Sequence, residues 1–357
     1  MAHPTPRRLA LVLACAVLVG ALAAAAAHGA GRALSAHHTS AWALDAELAT
    51  PLRPARVAQA SVTWLGGPTT TSTGETVDVR VSAALPAEAA SASRWAEFLT
   101  GLTHGSEISQ LTAYIGTLDD VQGICGRTAL GCYASDQLVA PGETTIDVSP
   151  EEVIRHEYGH HIAYHRSNPP WNAVEWGPKQ WASVENVCAR VGRKEAYPGD
   201  EGSNYALNPG EAWAETYRLL EERKAGITTA SWPIVSPSFF PAAQALQAAE
   251  QDVLQPWTAP HTTSATHVFG KRSPKVWWLP VSTPLDGSLR VNATVPKGGT
   301  YDVALVAANR RTVVGRADWV GQRAKRFDGS VCGQRSLFVR VTQKGTLGRV
   351  RVSATTP

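Results

Sequence analysis

The sequence carries almost no excess charge: across 357 residues the formal net charge is +3, and no basic block or aromatic-basic stripe runs through it. That excludes a polyanion as the natural partner, and no nucleic acid is expected. Internal repeats are missing too, which excludes a solenoid. Runs of apolar residues long enough to enter a bilayer are confined to one, Leu9 to Ala27. What remains is a globular composition, 44% hydrophobic and 18% charged, on a chain longer than one ordinary domain. Two domains are expected.

The apolar run follows Arg7 and Arg8 and ends in alanines around Ala25 and Ala27 that suit signal peptidase. Residues 1–28 therefore read as a signal peptide, with a retained anchor as the alternative. Cys15 follows Leu13 and Ala14 as a lipid-attachment cysteine would, but the apolar run continues past it, so lipidation is not expected. Cleavage would leave no stable membrane anchor and a secreted or extracytoplasmic protein at the cell surface. Cys125, Cys132, Cys188 and Cys332 then remain, and an even number in an exported chain favours disulfides over buried thiols. Gly126 and Gly131 lie just inside Cys125 and Cys132 and let that segment turn back on itself. This pairs those two cysteines and leaves Cys188 to join Cys332 across a long loop.

Residues 29–56 have no periodicity and read as a loosely ordered lead-in. Val77, Val79 and Val81 alternate with polar residues as a strand after a Gly66-Gly67-Pro68 turn. Trp95, Phe98, Leu99 and Leu102 have helical spacing within Ser91–Leu102. Leu111 to Ile115 reads as a strand, Gly131-Cys132-Tyr133 with Leu138-Val139-Ala140 reads as a hairpin or edge strand before Pro141-Gly142, and Asp119-Asp120 reads as a loop because no calcium-type array of oxygen ligands accompanies it. Ser149-Pro150-Glu151-Glu152 signals a helix start by cap, first-turn proline and capping box, and Asn168-Pro169-Pro170 bounds that helix near Arg166. A second helix starts at Asn208-Pro209 and runs towards Lys224. Beyond Trp257, short alternating segments (275–281, 289–295, 301–307 and 336–341) suggest a β-sandwich, with Trp277 or Trp278 in its core or on a ligand platform. The expected class is α+β, with a catalytic domain over 57–258 and an all-β sandwich domain over 265–357.

The chemistry is concentrated in His156-Glu157-Tyr158-Gly159-His160, an HExxH motif within the first capped helix. Residues four apart share a helix face, so His156 and His160 can hold one Zn2+ while Glu157, beside them, takes a proton from water that the metal has acidified. A polar helix face with ordinary histidines, including His161 and His165, is the plain alternative. A catalytic zinc needs a third protein ligand. The metzincin pattern would place glycine and histidine where the chain has Ala163 and Arg166, which excludes it. Glu211 and Glu215 on the second helix are four apart and share a face, so one can bind zinc while the other hydrogen-bonds a zinc-bound imidazole. Glu211 also stands where a capping-box partner of Asn208 would sit.

These residues resemble the active site of the gluzincin metallopeptidases, specifically the anthrax lethal factor type, in which HExGH is followed by a tyrosine and a glutamate-bearing helix. The resemblance covers roughly residues 133–220. It implies a zincin-like metallopeptidase domain, with His156, His160 and Glu211 as zinc ligands, Glu157 as general base and Glu215 supporting a ligand. Tyr205 would donate a hydrogen bond to the transition state, with Tyr217 or His161 as substitutes. It also implies a peptide or protein substrate, pairing with an edge strand expected at Leu130 to Ala140. The chain is similar as well to exported bacterial zinc peptidases. The sandwich is expected to bind substrate or a cell-wall or surface ligand, and a cell-wall peptide amidase, a zinc-braced non-catalytic surface-binding protein and an adhesive module are the other readings.

Overall fold

The computed structural model describes residues 35–38, 61–145, 147–232 and 234–357. The expected signal peptide, 1–28, and most of the lead-in lie outside the described residues. The exception within the lead-in is Ser35–His38, which is a strand (β1) rather than loose chain.

The first half is built on a six-stranded mixed sheet of order β1-β5-β6-β4-β3-β2. Its other strands are β2 Trp64–Thr70, β3 Thr76–Ser82, β4 Thr112–Gly116, β5 Ala129–Ala134 and β6 Gln137–Pro141. Val77, Val79 and Val81 of β3 are buried. The expected turn at Gly66-Gly67-Pro68 is instead part of β2. The chain reverses at the end of that strand, where Thr71 N–H donates to the Glu75 carbonyl. A glycine suits position 66 because its φ is +91° and a Cβ there would lie 2.5 Å from the Val79 carbonyl oxygen.

Parallel pairing of β3 with β4 and of β4 with β6 requires crossovers, supplied by α1 (Ala92–Thr100) and α2 (Leu118–Cys125). Ser91 caps α1. Asp119 and Asp120 are not in a loop but in the first turn of α2, where Asp120 closes a capping box with Thr117. Strands β5 and β6 meet at Ser135 and Asp136, both with positive φ, as a two-residue hairpin requires. The strand expected as a free edge, Leu130 to Ala140, is not one. β5 pairs with β6 on one side and antiparallel with β1 on the other, Gly131 standing opposite His37.

Helix α3 (Pro150–Tyr164) begins at the expected capping box of Ser149 and Glu152 and ends at His165. It packs along β5 and β6 and against α7. The shorter helices α4 (Ala173–Trp176), α5 (Lys179–Val184) and α6 (Val187–Gly192) come next. They lead to α7 (Pro209–Lys224) and α8 (Ala243–Leu254). Trp95, Leu99, Tyr158, Trp181, Trp213 and Phe239 are fully buried in one core shared by these helices and the sheet.

A separate core belongs to the second half. There, β7 (His261–Phe269), β8 (Val276–Ser282), β9 (Gly287–Thr294), β10 (Tyr301–Ala307), β11 (Val313–Arg316), β12 (Asp318–Trp319), β13 (Ala324–Val331), β14 (Ser336–Gln343) and β15 (Gly348–Thr356) form two antiparallel sheets. Their orders are β11-β10-β14-β8 and β12-β13-β9-β15-β7. Val339 and Val341 of one sheet share that core with Val291, Val350 and Val352 of the other, which makes a sandwich. It starts at His261, before the expected boundary at 265. Trp277 is half-buried against its core and stacks on His267.

The two cores are joined by Cys188–Cys332, and Cys125–Cys132 closes the local loop, with Cα–Cα distances of 5.4 Å and 5.8 Å. The expected pairing is the one found, and it fits an oxidising, extracytoplasmic environment. Among the described residues no helix is long and apolar enough to cross a membrane. Buried polar contacts reinforce the junction. Lys179 Nζ donates to the carbonyls of Pro169 (2.6 Å) and Asp286 (2.8 Å), Ser183 Oγ accepts from Asp286 N–H (2.9 Å), and Arg335 donates to the Ser183 carbonyl (2.7 Å).

Candidate metal centre

Helices α3 and α7 cross at a glycine. A Cβ at Gly159 would lie 2.9 Å from Ala214 Cα and 3.2 Å from its carbonyl oxygen, so only glycine permits this approach. The Trp213 indole locks the crossing by donating to the Gly159 carbonyl at 2.7 Å. Gly159→Ala is expected to cost about 1–3 kcal/mol by overpacking. Chemical denaturation checks this: the midpoint should fall while the slope stays constant.

The crossing sets His156 and His160 of α3 against Glu211 of α7, all three buried. His156 Nε2 lies 3.1 Å from one Glu211 oxygen, His160 Nε2 3.4 Å from the other, and the two Nε2 atoms are 3.2 Å apart. Ligands held at 2.0–2.1 Å by a tetrahedral ion stand about 3.3 Å from one another. The three donors thus have the spacing of ligands to one tetrahedral ion. Asn208 caps α7 through Gly210 N–H, at 3.0 Å, and forms no capping box with Glu211, whose carboxylate faces the histidines instead.

The electrostatics favour a positive charge at this point. Burial disfavours a charge on His156, but the Glu211 and Glu215 carboxylates outweigh burial and push its pKa up to about 10. Burial also works against the Glu211 carboxylate, yet the two imidazoles hold it ionised, well below the usual range. His160, where burial prevails, is pushed down and favours the neutral imidazole that a metal needs.

Glu157 projects beside these donors with both carboxylate oxygens buried and without a hydrogen-bond partner. Burial pushes its pKa well above the ordinary carboxylate value. Strand β5 passes so close that a Cβ at position 131 would lie 2.9 Å from Glu157 Oε1, and Gly131 leaves that space. A buried carboxylate without a hydrogen-bond partner costs folding free energy, about 1–3 kcal/mol or more.

Glu215 Oε2 lies 3.7 Å from His156 Nδ1 and accepts a hydrogen bond from Arg218 Nε. Burial opposes its charge, but Arg218 and His156 bring its pKa down to about 2. Arg218 in turn donates to both Glu222 oxygens, at 2.7 and 2.8 Å, which fixes its guanidinium. Tyr205 OH donates to Glu211 Oε2 at 2.6 Å, so this tyrosine reaches the cluster. The two substitutes do not: Tyr217 OH donates to the Thr103 carbonyl (2.7 Å), and His161 Nε2 contacts the Glu107 carbonyl (2.9 Å). Two residues near the centre escaped the sequence reading. Arg218 stands three residues after Glu215 and four before Glu222, a spacing that could have revealed it. Glu201, half-buried with one carboxylate oxygen shielded from solvent and made harder to ionise first by that desolvation and then by Glu211 and Glu157, sits on a loop with no such signal.

No family model matches the chain, and no curated protein does. Among solved structures, the pre-peptidase C-terminal domain of collagenase from Bacillus anthracis matches 27% of this chain and 89% of its own, with 10% identity and a TM-score of 0.22. PliG, a periplasmic inhibitor of g-type lysozyme from Aeromonas hydrophila, matches 27% and 85%, with 8% identity and a TM-score of 0.20. Neither likeness is close enough to bear on fold or activity.

Proposed function

We propose that this chain is an exported, zinc-dependent peptidase with a zincin-like catalytic half. The observation that carries the reading is the 3.1–3.4 Å spacing among the donors of His156, His160 and Glu211. Zinc held by these three side chains would polarise a substrate carbonyl and lower the pKa of water to about 7.

The chain's own residues divide the remaining work. Glu157 takes the proton of the attacking water and returns it to the leaving amine. Its buried, unpartnered carboxylate makes a strong base and, once protonated, an acid able to wait near neutral pH. Glu215, fixed by Arg218, orients the His156 ring from the Nδ1 side. Tyr205 holds the Glu211 carboxylate before substrate arrives, and from the same position can turn its hydroxyl to the oxygen that gains charge.

Incubating the purified mature protein with a diverse peptide mixture, before and after chelation and zinc replacement, tests this by mass spectrometry. Internal peptide bonds should be cut, cutting should stop on chelation, and it should resume with zinc. Zinc-loaded protein that cuts nothing, or cleavage that survives complete metal removal, would refute the assignment. Cutting confined to cell-wall peptides would keep the chemistry and assign a wall amidase.

A further inference from the structure

A second group of potential ligands lies one residue further round α3 from the first. His161 and His165, four apart and so on one face, converge on Asp136 in the hairpin between β5 and β6. His165 Nε2 is hydrogen-bonded to Asp136 Oδ1 at 2.6 Å, a contact that a shared ion would open and replace, and His161 Nδ1 lies 3.6 Å from the same oxygen.

The hydrogen bonds fix which atom of His161 is available. Its Nε2 lies 2.9 Å from the Glu107 carbonyl, which can only accept, so Nε2 carries the proton. Nδ1 therefore turns a lone pair towards Asp136. That lone pair is met by the Tyr133 hydroxyl at 3.0 Å, a neutral donor that an entering ion would displace. Donating the far N–H to a carbonyl is also the usual way in which a metal-bound imidazole is oriented.

Asp136 is held in place independently. Its φ is +68°, its N–H donates to Tyr133 OH (3.0 Å) and its carbonyl accepts from Thr112 N–H (2.8 Å). The His165 and Asp136 side chains are 17% and 33% exposed, which leaves an approach from solvent and room for water as a further ligand.

We propose that Asp136, His161 and His165 form a second metal site, suited to Zn2+ or a similar imidazole-binding divalent ion, that ties the C-terminal end of α3 to the β5–β6 hairpin. It shares no ligand with the first centre and does not depend on the peptidase reading.

The test counts metal per chain in the purified mature protein after dialysis to equilibrium against dilute Zn2+. His165→Ala and the isosteric Asp136→Asn should each hold one equivalent fewer than the parent, while His160→Ala should retain the equivalent that they lose. In the His160→Ala background, Zn2+ should also shift the ring resonances of His161 and His165. Equal metal content in the parent and both variants, or ring resonances of these two histidines that ignore Zn2+, overturns the proposal. If the parent holds one equivalent and His165→Ala none, the second site stands and the first centre falls.

Discussion

Glu157→Ala is expected to lose about 10²–10⁴-fold in peptide hydrolysis, the usual contribution of a positioned acid-base group, while binding as much zinc as the parent. The separation is possible because Glu157 supplies none of the three clustered donors. It also has no hydrogen bond to lose, so melting temperature should not drop by more than the loss of its methylene contacts requires. Metal content, kcat and thermal melting measured on one preparation decide it. A variant that loses zinc would make Glu157 a ligand, and one that retains full activity would remove it from the reaction.

The largest effect on stability is expected from the link between the two halves. Loop closure for a separation of 144 residues corresponds to about 5 kcal/mol, and for a separation of 7 to about 2.4 kcal/mol. Replacing Cys188 and Cys332 together by serine should therefore destabilise the protein about twice as much as replacing Cys125 and Cys132. Equilibrium urea unfolding of both double variants, each against the parent, measures the difference. The reverse order would show that strain or residual structure, rather than chain entropy, governs these bridges.

The first centre was legible because its parts are local. A capping box, two histidines four apart and two glutamates four apart are patterns that a helix writes into sequence. Their meeting was harder to foresee, since it rests on one glycine at a helix crossing. What escaped was non-local. Nothing in Ser35–His38 announces a strand, because its partner is a strand far along the chain. Gly66 and Gly67 look like a turn, yet they serve a strand that needs room beside Val79. Asp136 and His165 are 29 residues apart and meet only once β5, β6 and α3 have packed. In the second half, alternation located the buried strands, whereas β11 and β12, short and largely exposed, left no such trace.

The segment that connects the two halves has an exposed stretch at Thr258, Ala259 and Pro260, the kind of place where proteases cut. A cut there would not part the molecule. Cys188 and Cys332 lie on opposite sides of that point, and the contacts of Lys179, Ser183 and Arg335 span the same junction. The nicked protein would remain one particle with both cores in register, and its two chains would separate only once it was both reduced and unfolded. As long as its disulfides stay oxidised, the covalent continuity of the fold therefore does not depend on an intact backbone.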